Sequence, residues 1–211
     1  SVGKIKTDRL VRLCERYFGG ETIPNTPRLR QPFTDYTPRE VSVHKKNAQT
    51  NVMLGCPAYS VRDDKRVPFL LLNNLLGGQG MNTRLNLGIR EKKGLAYTIE
   101  SNYTSLSDTG LFAIYFGCEE YHRQQCMEVI LKELKRLREN ALGTMQLYYA
   151  KKQLVGQIAL SNEAQLNEML ALGHTALFFE EVDTIEESIR EIEAVTASQI
   201  LEVANEILCP E

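Results

Sequence analysis

Apolar and polar positions change period several times along the chain, and each change marks an element. Val11, Cys14, Tyr17 and Phe18 fall on one face of a helix that Thr7 can cap and Gly19-Gly20 end. Residues 21–39 hold four of the seven prolines and read as an extended surface connector. From Val41 to about Tyr59, β-branched Val41, Val43 and Val52 around a polar middle predict one long or bulged strand. A continuous apolar run from about Asp64 to Leu76 predicts a buried helix, with Pro68 in its first turns where a missing donor costs little. A short helix from about Asn82 to Lys92 leads into two strands, about 95–105 and 110–119, joined by a polar turn as an antiparallel hairpin. In the second strand Phe112, Ile114, Phe116 and Cys118 alternate with Leu111, Ala113, Tyr115 and Gly117, so both faces are apolar and the strand is expected at the centre of its sheet.

The rest of the chain has helical period, over about 121–141, 144–161, 163–180, 184–192 and 196–208. Met127, Ile130, Leu131, Leu134 and Leu137 form a core stripe, and Thr184 with Glu187 and Thr196 with Gln199 fit capping boxes. Strands grouped before a run of helices predict an α+β fold, a two-layer sandwich with helices on one face of a mostly antiparallel mixed β-sheet. A length of 211 residues with 43% apolar content suits a single domain spanning 1–211, with the proline-rich connector inside it.

Net charge of -2 without a dense basic patch excludes a nucleic-acid partner. No stretch approaches the roughly 18 apolar residues of a membrane span, and the N-terminus lacks a signal-peptide core, so no membrane role and a soluble chain are expected. Cys14, Cys56, Cys118, Cys126 and Cys209 are odd in number and widely spaced, which favours reduced thiols and a cytoplasmic setting. The chain starts at Ser1 and reads as a fragment or processed piece, so an upstream half could still carry a signal peptide.

The segment richest in chemistry is Leu75 to Tyr103, which sets Arg90 and Tyr97 seven residues apart across a helix-to-strand turn. Gly94 follows Lys92 and Lys93, as expected of a helix end where cations meet the dipole and glycine takes a left-handed cap. By composition alone Arg90 is a surface ion pair with Glu91 or a nearby acid, and Tyr97 a half-buried strand aromatic. Strict alternation puts Leu95, Tyr97 and Ile99 on one side, which leaves open the face that Tyr97 takes.

The runs Leu76-Gly77-Gly78, Met81 to Leu85, Ile89-Arg90-Glu91-Lys92-Lys93-Gly94-Leu95-Ala96-Tyr97 and Asp108 to Phe112 resemble the second half of the pitrilysin/insulinase family, the inverted-motif zinc peptidases related to the mitochondrial processing peptidase. The resemblance extends over most of the chain and is specific between Leu75 and Gly117. It implies a metallopeptidase-like half that closes a chamber over unfolded peptide. Arg90 and Tyr97 are then the catalytic and substrate-binding pair that reaches across to zinc held by the other half. Gly78 and Gly80, in the glycine-rich turn beside the chamber, are implied as substrate-binding positions. Zinc is expected in an N-terminal H-x-x-E-H half or a homologous partner subunit, so this chain alone is not catalytic. The alternative within the same family is a non-catalytic scaffold or peptide-binding subunit.

Other chemistries find little footing. His44, His122 and His174 fit neither H-x-x-E-H nor H-E-x-x-H, so no metal is expected in this chain. Cys118-x3-His122-x3-Cys126 offers three ligand types, against the simpler reading of a buried or partly exposed trio. Gly77-Gly78-Gln79-Gly80 follows a helix and lacks the lysine and hydroxyl of a phosphate loop. There is no G-x-S-x-G elbow, and no cysteine has a partner nearby in sequence that would activate it.

Overall fold

Three strands, β1 (Thr50–Ala58), β2 (Ala96–Ser105) and β3 (Gly110–Cys118), form one antiparallel sheet in the order β1-β3-β2. The strand with two apolar faces is therefore the central one. Its inward residues line up in rows with those of its neighbours: Val52, Phe116 and Ile99; Leu54, Ile114 and Ser101; Cys56, Phe112 and Tyr103. Met53, Leu111 and Tyr115 occupy the opposite face, where Met53 and Leu111 are exposed.

The structure is a computed structural model that describes residues 2–22, 33, 35–46, 48–178 and 184–209. Its helices are α1 (Thr7–Phe18), α2 (Arg66–Gly77), α3 (Arg123–Glu139), α4 (Thr144–Asn162), α5 (Gln165–Phe178), α6 (Ile185–Ala194) and α7 (Ala197–Ile207). The chain divides into two compact units, 1–32 with 157–183 and 33–156 with 184–211. The second unit contains the whole sheet. Among the described residues no helix is long and apolar enough to cross a membrane.

Helix α2 packs on β2, and α7 packs on α2, α3 and β1. The α2 contact is close at Gly77, where a Cβ would lie 2.7 Å from Ser101 N; Ser101 Oγ in turn donates to Asn73 O at 3.1 Å. Fully buried Phe69 of α2 meets Tyr59, Tyr103 and Phe112 edge-on, at 5.7, 4.8 and 5.3 Å between ring centroids. Both capping boxes form, at Thr184 and Thr196. In α3 the expected Ile130, Leu134 and Leu137 face inward together with Cys126, whereas Met127 is only half-buried and Leu131 is 38% exposed.

Three expectations change, and a fourth falls mostly outside the described residues. The first strand begins only at Thr50, because its ladder with β3 ends at the pair Thr50↔Cys118; Val41 and Val43 lie outside the sheet and are exposed. Every strand pair among the described residues is antiparallel, so the sheet is not mixed. Lys6 rather than Thr7 holds the cap position of α1, without a side-chain cap bond, and no residue of α1 is buried. Pro24, Pro27 and Pro32 of the expected connector lie outside the described residues, whereas Pro38 lies in neither helix nor strand.

A polar clasp joins the start of α2 to the end of α7. Lys65 Nζ reaches Glu202 Oε1 at 2.8 Å and also Glu206, which accepts the Tyr59 hydroxyl as well. The Lys65 bond, followed by that of Tyr59, holds the Glu206 carboxyl below its ordinary value. A carboxyl lowered in this way stabilises the fold above its unfolded pKa, and that contribution is lost as pH falls through the folded-state value. Glu206→Gln is therefore expected to lower Tm by roughly 1 to 3 °C at pH 7, in line with a solvent-screened pair. The deficit should close in acid, as thermal melts at pH 7 and about pH 3 can check. An equal deficit at both pH values would contradict the clasp.

Candidate functional site

The helix that carries Arg90 is widened. Arg84 and Leu85 open it, and Asn86–Glu91 then form a π turn in which the Lys92 N–H reaches Leu87 O, five residues back, at 3.1 Å. Gly94 closes it in the left-handed region at φ +61°, as its place after Lys92 and Lys93 predicted. The N–H groups of Gly94 and Leu95 return to Arg90 O and Ile89 O, each at 3.0 Å. Both bonds span one residue more than in the common Schellman closure, which is the mark of the π widening carried into the cap.

The chain then enters β2 through a β-bulge, and the bulged residue is Tyr97. Ala96 pairs with Cys118 and Thr98 with Gly117, so two residues of β2 face one step of β3. The extra residue breaks the alternation. Leu95, Ala96 and Ile99 are buried while Tyr97 is 58% exposed, so Tyr97 leaves the side that strict alternation would share with Leu95 and Ile99. Its hydroxyl donates to Glu119 Oε1 at 2.9 Å. That bond, and then the Glu119 charge, raise the Tyr97 pKa, so the phenol remains a neutral donor at pH 7. Tyr97, Glu119, Tyr121 and His122 border a surface hollow of about 230 Å³, floored by Gly94, Leu95 and Ala96.

Arg90 is exposed, with Nε 3.9 Å from Glu91 Oε1. This is the ion pair that composition alone predicts, and at such separation and exposure it holds the side chain weakly. Among the described residues no hydrogen bond or ion pair joins Arg90 to Tyr97. The two sit at the ends of one short turn, Arg90 weakly held by Glu91 and Tyr97 bonded to Glu119.

The glycine-rich turn has structural reasons of its own. Gly80 adopts φ +147°, which suits glycine alone, and its carbonyl accepts from Asn86 Nδ2 at 3.2 Å. Asn86, itself buried, also donates to the buried Thr83 hydroxyl at 3.1 Å. At Gly78 a Cβ would lie 2.7 Å from Asn74 Cα. Arg84 Nη1 meets Glu133 Oε1 at 2.8 Å, a largely covered pair that ties the widened helix to α3.

The Cys118, His122 and Cys126 trio does not build a metal centre. Cys118 and Cys126 are buried and near enough to influence each other, and Cys126 Sγ lies 3.7 Å from Leu95 O. Burial, and then the Cys118 neighbour, push the Cys126 thiol up to about 12, so it is a neutral, buried group here. Among the described residues no three His, Cys, Asp or Glu side chains are placed to share an ion.

Glu119 and Tyr121 were not singled out by sequence reasoning, and His122 was weighed there only as a metal ligand. Glu119 directly follows the last residue of β3, whose partner is Ala96, so hairpin register could have pointed to it as the neighbour of Tyr97.

The description "Peptidase M16 inactive domain" fits residues 1–154, which include Arg90, Tyr97 and Glu119. An uncharacterised zinc protease of Bacillus subtilis is 29% identical over 202 residues, 95% of this chain and 49% of that protein. Another, of Streptomyces coelicolor, is 30% identical over 185 residues, 88% of this chain and 40% of that protein. The chain thus spans half or less of the length of these relatives. Among solved structures, a peptidase M16 inactive domain from Pseudomonas fluorescens matches with TM-score 0.66 and 25% identity over 76% of this chain and 38% of that one. A protease from Helicobacter pylori shares the fold with TM-score 0.82 over 98% of this chain and 51% of that one, at 18% identity.

Proposed function

Because the chain belongs to the peptidase M16 inactive-domain family, we propose that it is the metal-free half of a zinc endopeptidase. It closes a chamber over unfolded peptide, opposite an H-x-x-E-H half that is fused to it or supplied as a separate subunit. The observation that carries this reading is the bulge, which lifts the Tyr97 phenol out of the sheet and exposes it as a neutral donor beside an open hollow.

Peptide hydrolysis develops negative charge on the scissile carbonyl oxygen, and donors placed in advance stabilise it. Tyr97 supplies such a donor from this side. Arg90, loosely held by Glu91, has a planar fork suited to a backbone carbonyl of the substrate and keeps the peptide extended. Gly78 and Gly80 allow the peptide close to the backbone at the turn. Zinc, when bound in the other half, would polarise the carbonyl and activate water. That the relatives of half-matching length are named zinc proteases supports this division of labour.

The test is reconstitution from separately prepared halves. The 211-residue chain alone is expected to bind no stoichiometric zinc and cleave no peptide, the H-x-x-E-H half alone to bind zinc with little turnover, and the mixture to cleave unfolded peptide. Full activity of the zinc half without this chain would favour the scaffold alternative, and zinc-dependent turnover by this chain alone would remove the reading.

A further inference from the structure

We infer that the hollow beside Tyr97 is a subsite for a positively charged group of the peptide, with Glu119 as its anion and the Tyr97 and Tyr121 rings as its walls; this rests on the proposed peptide substrate. Glu119 is half-buried, and its recorded partner is the neutral Tyr97 phenol on Oε1. No ion pair within 4 Å reaches it among the described residues. Of the nearby arginines, Arg123 pairs with Glu120, and Arg90 lies loosely against Glu91. Glu119 Oε2 therefore remains for a donor entering the hollow. Tyr121 is 72% exposed at the rim and rests against the His122 ring at 4.2 Å. Aromatic faces of this kind attract ammonium and guanidinium groups.

The anion is held on rigid backbone. Glu119 follows β3 directly and its carbonyl accepts the His122 N–H at 2.9 Å, which fixes it at the entry to a short 3-10 turn, Glu120–His122. One carboxylate thus aims the phenol through Oε1 and offers charge through Oε2. A peptide cation docked there lies beside the donor assigned to the scissile carbonyl, so the subsite selects which residue flanks the cleaved bond. Two sources share this chemistry, a Lys or Arg side chain and a free peptide N-terminus.

The experiment uses the complete two-half protein and matched peptides carrying arginine or neutral citrulline at one position, each with a free or an acetylated N-terminus. Binding is read by fluorescence anisotropy on the zinc-free protein, and hydrolysis on the zinc-loaded protein. The arginine peptide is expected to bind roughly threefold to tenfold tighter than the citrulline peptide, as befits a solvent-accessible charge pair with an aromatic wall. Glu119→Gln, which keeps an acceptor for Tyr97, should bring that ratio to about one. Discrimination that follows acetylation instead of the arginine position assigns the subsite to the N-terminus and equally supports a cation site. Equal binding of all peptides by the unaltered protein, or undiminished discrimination in Glu119→Gln, overturns the subsite. Discrimination in binding without any hydrolysis retains the subsite and overturns the catalytic reading alone.

Discussion

Replacing Tyr97 with phenylalanine in the complete two-half protein is expected to lower kcat for peptide hydrolysis about 100- to 1000-fold while zinc content stays unchanged. The substitution removes one hydroxyl from a ring that is already exposed and makes no ring contact of its own among the described residues, so the fold should tolerate it. The loss should fall on kcat more than on KM. In the resting site the phenol proton is committed to the Glu119 carboxylate, and a neutral substrate carbonyl competes poorly for it. The charged oxygen of the transition state competes well, so the bond to substrate forms chiefly as charge develops. Arg90→Ala should also lower activity with zinc retained, and there KM should rise, because a fork that holds a backbone carbonyl binds substrate and transition state alike. Steady-state kinetics with zinc analysis of both variants separate the two roles; unchanged turnover in both would refute them.

The largest effect on stability is expected at Phe69. Its ring is fully buried and is held edge-on by three others, two from the sheet and one from the segment that leads to α2. Truncation to alanine leaves a cavity where α2 meets β2 and β3, and costs about 3 to 5 kcal/mol. Total stability of a domain is about 5 to 15 kcal/mol, so most of the margin goes. In urea, followed by far-UV circular dichroism, the midpoint should fall by on the order of 2 M. Leu131→Ala, on the 38% exposed face of α3, serves as the comparison and should move the midpoint far less. Equal shifts would mean that the aromatic cluster is not the centre of the core.

Much of this fold is legible because its signals are local. The capping boxes at Thr184 and Thr196 need only a hydroxyl and an acceptor three residues apart, and both form as read. The double apolar alternation of β3 demands cover on two sides, and the strand lies between β1 and β2. Gly94 after two lysines marks the helix end because few other residues reach φ +61° there without strain.

What was not legible depends on pairing between distant segments. Val41 and Val43 have strand propensity, but β3 ends at Cys118 and offers them no ladder. The bulge at Tyr97 is a mismatch between two strands, written in neither, so alternation within β2 assigns Tyr97 to the wrong company. The same holds for Glu119, which follows Cys118, the partner of Ala96, and meets the Tyr97 hydroxyl only through the register of the hairpin. The Arg90 and Tyr97 spacing pointed to a candidate site through family resemblance; the register of the hairpin supplies the physical reason that the phenol faces outward.

The central claim is that Tyr97 acts on the transition state of a reaction whose metal lies in another half. The most direct measurement is the inhibition constant of a tetrahedral phosphinic peptide, compared with the binding of the matching uncleaved peptide to zinc-free protein, in the unaltered protein and in Tyr97→Phe. The account predicts that the phosphinic peptide weakens in step with the loss in kcat/KM while the uncleaved peptide binds as before. Equal inhibition of the two proteins by the phosphinic peptide, whatever the peptide affinity, would contradict it.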